Sequence, residues 1–201
     1  MPNAQKSMTL PFEFLWAIIG VLLTIGGTFI EASFTDPSWL WEQKNIQVYS
    51  LGVTYQIGAV LLVGCMGGKN AAVMSQIAYL ALGLTVLPIF SEGGGLGYLM
   101  EPTFGYLLGF IPGGWVCGYL AFKASPKLEL FAFSCGCGLL IIHGLGLIYL
   151  MLYGIFNGGM IYDQSLLQAI ESYSFYPFPG HLGVACAITV LSYFLRGILF
   201  Y

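Results

Sequence analysis

The chain alternates between long apolar runs and shorter polar segments. Six apolar runs stand out, at residues 14–30, 53–67, 71–90, 103–122, 128–156 and 180–199. Each run is apolar on nearly every side and does not alternate with a period of two, which favours helices over the strands of a barrel. A helix needs about 20 mainly apolar residues to cross a bilayer. The pattern therefore predicts an all-α membrane protein, a single transmembrane domain over residues 1–201 with six helices.

The composition agrees with this prediction. Of the 201 residues, 58% are hydrophobic and 7% are charged, whereas a soluble domain has about 25% charged residues. A single lysine precedes the first run, and no small-residue cleavage site follows a short apolar core. We therefore expect the first helix to be retained and not removed as a signal peptide.

The few charges divide between the two ends of the predicted helices. One end holds five of the six basic residues: Lys6, Lys69, Lys123, Lys127 and Arg196. The other end holds Lys44 together with seven acidic residues: Glu31, Asp36, Glu42, Glu92, Glu101, Asp163 and Glu171. Basic residues near helix ends are kept on the cytoplasmic side. The division predicts both termini in the cytoplasm, in a protein of the cell (inner) membrane that contacts lipid.

The connections divide in the same way. Those on the basic side, at residues 67–70 and 123–127, are hairpins of a few residues. Three long loops on the other side, at residues 31–52, 91–102 and 157–179, are rich in aromatic residues. Long loops in a compact domain are usually functional or disordered, and disordered segments are poor in aromatics. We expect the three long loops to fold over the outer face; an aromatic belt at the membrane surface is the alternative for any single Trp or Tyr.

A glycine cluster stands where the second long loop meets the fourth run. Its members are Gly93, Gly94, Gly95 and Gly97. Glycine accepts positive φ and lets a ligand approach the backbone, and Thr103 is placed to cap the next helix. Helix amino termini near Val53, Thr103 and Gly180 would present N–H groups and partial positive charge to one outer cavity, which suits an anion. A tight turn without a ligand is the alternative.

Residues 79–110 read YLALGLTVLPIFSEGGGLGYLMEPTFGYLLGF. The elements that carry a resemblance are Gly83, Leu87-Pro88-x-Phe90, the glycine cluster, and Pro102-Thr103-x-Gly105-Tyr106-Leu107-x-Gly109-Phe110. They resemble the signature of the BioY family, the biotin-binding S components of energy-coupling-factor (ECF) vitamin transporters. Thr54 and Gln56 before VLLVG, and Pro179-Gly180, are similar to further motifs of that family.

The resemblance implies the ECF S-component fold, with six helices, cytoplasmic termini and capture of biotin from the outer face. It also implies partners, namely an ECF T protein and two ATPases whose ATP hydrolysis drives release inside. The family's last motif usually continues Pro-Gly-Asp with a lysine three residues later, whereas this chain has His181 and Val184 there. The expected ligand is therefore biotin or a related small vitamin.

Biotin needs an apolar wall, hydrogen-bonding groups for its ureido ring, and a cation or helix amino termini for its carboxylate. The predicted substrate-binding residues are Gln56, Glu92, Gly94, Gly95, Gly97, Tyr98, Thr103, Tyr106, His143, Asn157 and His181. A hydrogen bond between helices is the alternative for Gln56, and a solvated charge is the alternative for Glu92. His143 lies near the middle of a run, where an ionisable group is a functional candidate unless it bonds to a neighbouring helix.

Four small residues share one face of the first helix, because they are spaced three, four and three apart: Ala17, Gly20, Thr24 and Gly27. Small residues let another helix approach closely. The resemblance implies that this face docks on the T protein. Packing against the chain's own helices is the alternative.

Other functions find little support. Cys135 and Cys137 stand two apart on a helix and point away from each other, which argues against a shared metal site. No set of nucleophile, base and orienting group is recognisable, and the few basic residues exclude a nucleic-acid partner. We expect no catalytic residue, no metal and no cofactor. Two alternatives stay open: a structural or assembly subunit with this fold, and an intramembrane enzyme using His143 or His181.

Overall fold

The computed structural model describes residues 10–35, 47–156, 158, 160–161 and 164–199. Its helices are α1 Leu10–Phe29, α2 Gln56–Thr85, α3 Phe104–Ala121, α4 Leu128–Phe156, α5 Leu166–Ile170 and α6 Phe178–Leu199. Its strands are β1 Glu31–Thr35, β2 Val48–Thr54, β3 Met160–Ile161 and β4 Gln164–Ser165. Within the described residues, five helical stretches are long and apolar enough to cross a membrane: Leu10–Phe29, Gln56–Thr85, Phe104–Ala121, Leu128–Phe156 and Leu166–Leu199.

Helix α2 folds back on itself at Gly68, whose φ of 78° and ψ of −178° interrupt the helical path. At about 1.5 Å rise per residue, Gln56 and Tyr79 would lie roughly 35 Å apart in an unbroken helix. Instead, Gln56 Nε2 donates a hydrogen bond to Tyr79 Oη at 2.9 Å. A Cβ at Gly20 of α1 would lie within 3.0 Å of side chains from both halves of α2. Residues 56–67 and 69–85 therefore run side by side in opposite directions, and the turn falls in the hairpin predicted at residues 67–70.

Two boundaries near the long loops lie a few residues from the approximate predicted positions. The second run was expected to be helical from residue 53, but Val53 and Thr54 belong to β2 and the helix begins at Gln56. These two β-branched residues suit a strand, and β1 supplies the pairing that a sequence pattern does not reveal. The third run was expected to be helical to residue 90, but the helix ends at Thr85. Pro88 disfavours helical backbone in the residue before it and cannot donate to a helical ladder.

The first long loop contains an antiparallel hairpin that the sequence pattern did not predict. β1 and β2 pair with Phe34 opposite Tyr49 and Thr35 opposite Val48. The rings of Phe34 and Tyr49 stack with centroids 5.2 Å apart, and Tyr55 N donates to Ile30 O at 3.0 Å to close the base of the hairpin. Aromatic and β-branched cross-strand pairs of this kind stabilise a two-stranded ribbon. The tip of the loop, residues 36–46, lies outside the described residues.

Contacts between helix ends define two ends of the bundle. The start of α1 meets the turn of α2, where Asn70 Nδ2 lies 3.0 Å from a carboxylate oxygen of Glu13. The last helix meets the end of α3, where Arg196 Nη1 donates to Ala121 O at 2.8 Å. This basic end holds the described basic residues Lys69, Lys123, Lys127 and Arg196. The opposite, acidic end holds Glu31, Glu92, Glu101 and Glu171. The described basic residues therefore gather at one end as predicted, where Glu13 and Glu129 also lie.

Glycines allow α3 and α4 to pack closely. A Cβ at Gly109 would lie 2.9 Å from the carbonyl oxygen of Ile142, and one at Gly113 would lie 2.9 Å from that of Gly138. Residues without a side chain let two membrane helices approach backbone to backbone. This contact fixes the position of α4 along the axis of α3. It therefore also fixes which residues of α4 lie beside the amino terminus of α3.

Candidate ligand-binding site at the acidic end

Helix α4 extends past the amino termini of α3 and α6 at the acidic end. Tyr106, in the first turn of α3, packs its ring where a Cβ at Gly146 would lie. His143 contacts His181, which lies in the first turn of α6. The ten residues after Gly146 continue α4 for about 15 Å. The middle of α4 therefore lies level with the amino termini of α3 and α6.

The two histidines of the chain meet at this level. His143 Nε2 and His181 Nδ1 are 3.2 Å apart, so one ring donates a hydrogen bond to the other. The ring of His143 also contacts those of Tyr106, at 5.7 Å, and Phe178, at 5.2 Å. His143 is 5% exposed, and its Nδ1 has no hydrogen-bond partner in the structure. A buried polar atom without a partner is costly, so this atom marks a position where a polar ligand atom would be stabilising. We call Tyr106, His143, Phe178 and His181 the histidine cluster.

The third long loop is tied to the histidine cluster by Ser174. This residue lies in the π-helical turn Glu171–Phe175 and is buried. Its Oγ forms a hydrogen bond with Tyr106 Oη. Sequence reasoning missed Ser174 because a serine in a polar loop carries no periodic signal. Only the path of the loop brings it to Tyr106, which lies 68 residues away in the chain.

The rest of the third long loop packs on the projecting part of α4. Leu150 of α4, Ile161 and Ala169 form a buried cluster, and Leu166 fills the space beside Gly154. Ser165 begins α5 with a capping box, in which its side chain accepts from Gln168 N. The third long loop therefore covers the outer side of α4 next to the histidine cluster.

A second polar cluster surrounds Tyr79 under the first and second long loops. Tyr79 Oη accepts from Gln56 Nε2 at 2.9 Å, donates to Ile89 O at 3.1 Å, and lies 3.2 Å from Thr28 Oγ1. Gln56 thus makes the hydrogen bond between helices that was the alternative to ligand binding. Tyr79 is fully buried and was not predicted as a site residue. Its hydroxyl in an otherwise apolar run is the signal that would have revealed it.

Tyr98 and Thr103 come together in the second long loop. Tyr98 is buried against the ring of Phe90, and its Oη lies 3.1 Å from Ser91 Oγ and 3.3 Å from Thr103 Oγ1. Thr103 stands directly before α3 but its side chain makes no capping hydrogen bond. The prediction that Thr103 caps this helix is therefore wrong, because its backbone is already helical and its hydroxyl contacts Tyr98.

The glycine cluster folds the second long loop onto the end of α2. Gly95, at a φ of 86°, donates its N–H to Gly83 O at 2.8 Å. A Cβ at Gly94 would lie 2.7 Å from the same carbonyl oxygen. These contacts match the tight-turn interpretation. Gly97 has open space beside it and Glu92 is exposed, so both face outward at the acidic end. Asn157, also predicted to bind substrate, lies outside the described residues.

The small residues of α1 pack against other elements of the same chain. Ala17, Gly20, Thr24 and Gly27 are all buried. Gln76 Nε2 donates to Thr24 Oγ1 at 3.1 Å, and a Cβ at Gly27 would lie 3.0 Å from the backbone of Tyr55. A partner protein reaches this face only if α1 moves away from α2. The structure thus has the internal packing that was the alternative to docking.

Together these features define a multi-pass helical membrane protein whose long loops cover a partly buried polar cluster at one end of the bundle. The model of the BioY family matches residues 39–199. The chain belongs to the BioY family. The resemblance inferred from residues 79–110 is confirmed.

Several curated proteins are similar to this chain. A probable biotin transporter BioY of Lysinibacillus sphaericus is 41% identical over 98 residues, which cover 48% of this chain and 50% of that protein. The biotin transporter BioY of Thermotoga maritima is 36% identical over 126 residues, which cover 62% of this chain and 68% of that protein. An uncharacterised 21.2 kDa protein of Cyanophora paradoxa is 27% identical over 192 residues, which cover 95% of this chain and 98% of that protein. The chain thus spans about half the length of the first of these relatives.

A solved structure has the same fold. The S-component for biotin from an ECF-type ABC transporter superposes with a TM-score of 0.65 at 19% identity, over 98% of this chain and 95% of that one. At this identity the likeness establishes the fold, and it agrees with the S-component architecture that the resemblance implied.

Proposed function

We propose that this chain is the substrate-capture (S) component for biotin uptake and binds the vitamin from the outer face of the cell membrane. The observation that carries the proposal is the pairing of His143 with His181 beside Tyr106. These three predicted ligand contacts come from three helices and leave one buried ring nitrogen without a partner. Membership of the BioY family supports biotin as the ligand, since relatives are named as biotin transporters. The proposed role is transport and not catalysis.

We infer six membrane-crossing segments with both termini in the cytoplasm. Two facts support this topology: the two halves of α2 run in opposite directions, and the described basic residues lie at one end. Residues 56–67 form a helix of only about 18 Å, shorter than a hydrocarbon core of about 30 Å. If the turn at Gly68 lies at the inner membrane surface, Gln56 at the start of this helix lies within the membrane. The proposed site at the acidic end would then lie within the membrane as well.

In the proposed binding mode, the carboxylate of biotin lies at the histidine cluster. His143 Nδ1 supplies hydrogen-bonding capacity there, and the partial positive charge of the amino terminus of α6 attracts an anion. Phe178 and Tyr106 supply apolar ring faces. His181 stands where the family has aspartate, so this chain would bind the vitamin with imidazole groups.

The remaining predicted residues are proposed to line the covering loops. Glu92 and Gly97 face outward, and Tyr98 with Thr103 presents a row of hydroxyl groups. The partners proposed for transport are an ECF T protein and two ATPases, which would reorient the loaded chain. The structure of α1 places its small residues against α2, so the T protein would have to use other surfaces.

Calorimetric titration of the detergent-purified chain with biotin tests this proposal. Two neighbouring glycines of α4 supply a matched pair: a Cβ at Gly146 overlaps the ring of Tyr106, whereas a Cβ at Gly144 meets nothing within 4 Å. We expect Gly146→Ala to weaken biotin binding by about 10-fold or more, equal to about 1.4 kcal/mol. Gly144→Ala should bind like the wild type.

A second arm uses the ligand. Biotin methyl ester lacks the carboxylate charge, so the wild type should prefer biotin over the ester, and His181→Ala should lose most of that preference. Absence of biotin binding by a folded wild type would refute the proposal and leave a structural or assembly role. If His181→Ala loses affinity equally for biotin and for the methyl ester, the carboxylate of biotin does not bind at His181.

A further inference from the structure

Three cysteines from three helices converge inside the bundle, toward its basic end. Cys65 Sγ of α2 lies 3.6 Å from Cys117 Sγ of α3 and 3.6 Å from Cys135 Sγ of α4. The three sulfur atoms all lie within 4.8 Å of one another. Each residue is at most 1% exposed. The two other cysteines, Cys137 and Cys186, are more exposed and do not join this group.

The sulfur spacing is close to that of a metal site. A zinc ion binds thiolates at about 2.3 Å, which holds neighbouring sulfurs roughly 3.8 Å apart in a tetrahedral arrangement. The observed separations of 3.6 Å are slightly shorter. Shifts of a few tenths of an ångström would therefore open the cysteine cluster around an ion.

A fourth polar group, Ser192 of α6, lies near one of the three cysteines. Ser192 is fully buried, and its Oγ has no hydrogen-bond partner in the structure. The hydroxyl lies beside the Cys65 sulfur. A buried hydroxyl without a partner costs stability, and a metal ion would satisfy its oxygen. Three helices thus offer three sulfurs to one small volume, and a fourth helix carries an unsatisfied hydroxyl near Cys65.

The charges around the cysteine cluster suit a divalent ion. Three thiolates and one divalent cation leave a net charge of −1, which is costly inside a membrane protein. Arg196 is 7% exposed, and its guanidinium lies 5.3 Å from the ring centre of Phe131, one turn before Cys135 on α4. Its guanidinium is held in place 3.6 Å from the ring centre of Phe122. The site with its neighbouring arginine would therefore be neutral.

We propose that Cys65, Cys117 and Cys135, with Ser192 in the fourth position, bind a thiophilic divalent cation of the zinc class. On binding, the three thiols release three protons to solvent, and no electron is transferred. The ion would connect α2, α3, α4 and α6 near the basic end. This proposal differs from the expectation of no metal, which was argued from Cys135 and Cys137, two cysteines close together in sequence. The metal site does not depend on the proposed vitamin site, since Cys135 lies about 12 Å along α4 from His143.

Titration of the full chain with Cd²⁺ tests this inference, with the protein in detergent, fully reduced and stripped of metal by a chelator. The wild type should develop a near-ultraviolet thiolate-to-cadmium charge-transfer band that saturates at one ion per chain, and Zn²⁺ should displace it. Cys117→Ala should abolish the band. Cys137→Ala, two residues from Cys135 on the same helix, is the matched control and should keep it. Ser192→Ala should lower the affinity by about 10-fold.

The result that overturns the inference is a folded wild type without the band, or a band that persists in Cys117→Ala or disappears in Cys137→Ala. Far-ultraviolet circular dichroism and gel filtration check folding of each variant. If Cys117→Ala fails to fold, Cys117→Ser takes its place, since serine keeps the side-chain size. Biotin titration of the same samples separates this result from the proposed function, because loss of metal should leave vitamin binding unchanged.

Discussion

At the scale of single residues, a few polar atoms in apolar surroundings determine how helices meet. Tyr79 is one of them, because its hydroxyl links both halves of α2 to the start of the second long loop through Gln56 and Ile89. Buried polar groups of this kind are stabilising when satisfied and costly when a partner is lost. Tyr79 is therefore a structural residue of the acidic end, because the chain itself supplies the hydrogen-bond partners of its hydroxyl.

Replacing Tyr79 with Phe should destabilise the protein by about 1–3 kcal/mol, because Gln56 Nε2 and Ile89 O would each lose a partner. The free energy of unfolding, measured by denaturant titration in detergent, reports this change. Tyr119→Phe is the control: this side chain is 43% exposed on the outside of α3, so a change within about 0.5 kcal/mol is expected. Equal effects of the two substitutions would contradict the role given to Tyr79.

At the scale of elements, the lengths and breaks of the helices determine which residues lie side by side at the same depth in the bundle. The break at Gly68 turns one long apolar stretch into two antiparallel halves, and the excess length of α4 carries its last ten residues beyond α3. For this reason His143, central in its helix, lies beside the first turn of α6. The third long loop then packs on the part of α4 that projects.

Replacing Gly68 with Ala should destabilise the fold by about 1–3 kcal/mol, because its combination of φ and ψ belongs to a region that is essentially restricted to glycine. Space is available, since the nearest side chain, Phe122, lies 3.6 Å from the added Cβ. Gly26→Ala is the matched control. It adds a methyl group in α1 where nothing lies within 4 Å, so it should stabilise the helix by about 0.5–1 kcal/mol. Thermal unfolding of both variants measures the difference, and a tolerated Gly68→Ala would contradict the fold-back at this residue.

At the scale of the whole molecule, the separation of charge gives the bundle a direction. Arg196 ties α6 to the end of α3 at the basic end, and the long loops with their acidic residues cover the other end. In the proposed topology the basic residues are retained on the cytoplasmic side, so the covered site would face outward. A vitamin captured there would have to pass the bundle to be released inside.

Labelling with a membrane-impermeant maleimide tests this orientation. Leu96→Cys places a thiol at the acidic end, where the side chain is 69% exposed, and Lys127→Cys places one in the basic-end turn. In intact cells lacking an outer membrane, Leu96→Cys should react and Lys127→Cys should react only after permeabilisation. The wild type supplies the background from its native cysteines. The reverse pattern would contradict the proposed topology.

From the sequence alone one can predict the apolar segments, the turn at residues 67–70, the grouping of the basic residues and the family signature in residues 79–110. These features are local, because apolar length, turn residues and charges near helix ends act within a few neighbouring positions. The tertiary structure decided the β1–β2 hairpin, the pairing of His143 with His181, the hydrogen bond from Gln56 to Tyr79, and the meeting of Cys65 with Cys117 and Cys135. The partners in these contacts are between 13 and 70 residues apart in the chain. These contacts depend on helix length, the break at Gly68 and the close packing of α3 on α4. Together these features fix the depth of each residue in the bundle, which a local sequence pattern does not contain.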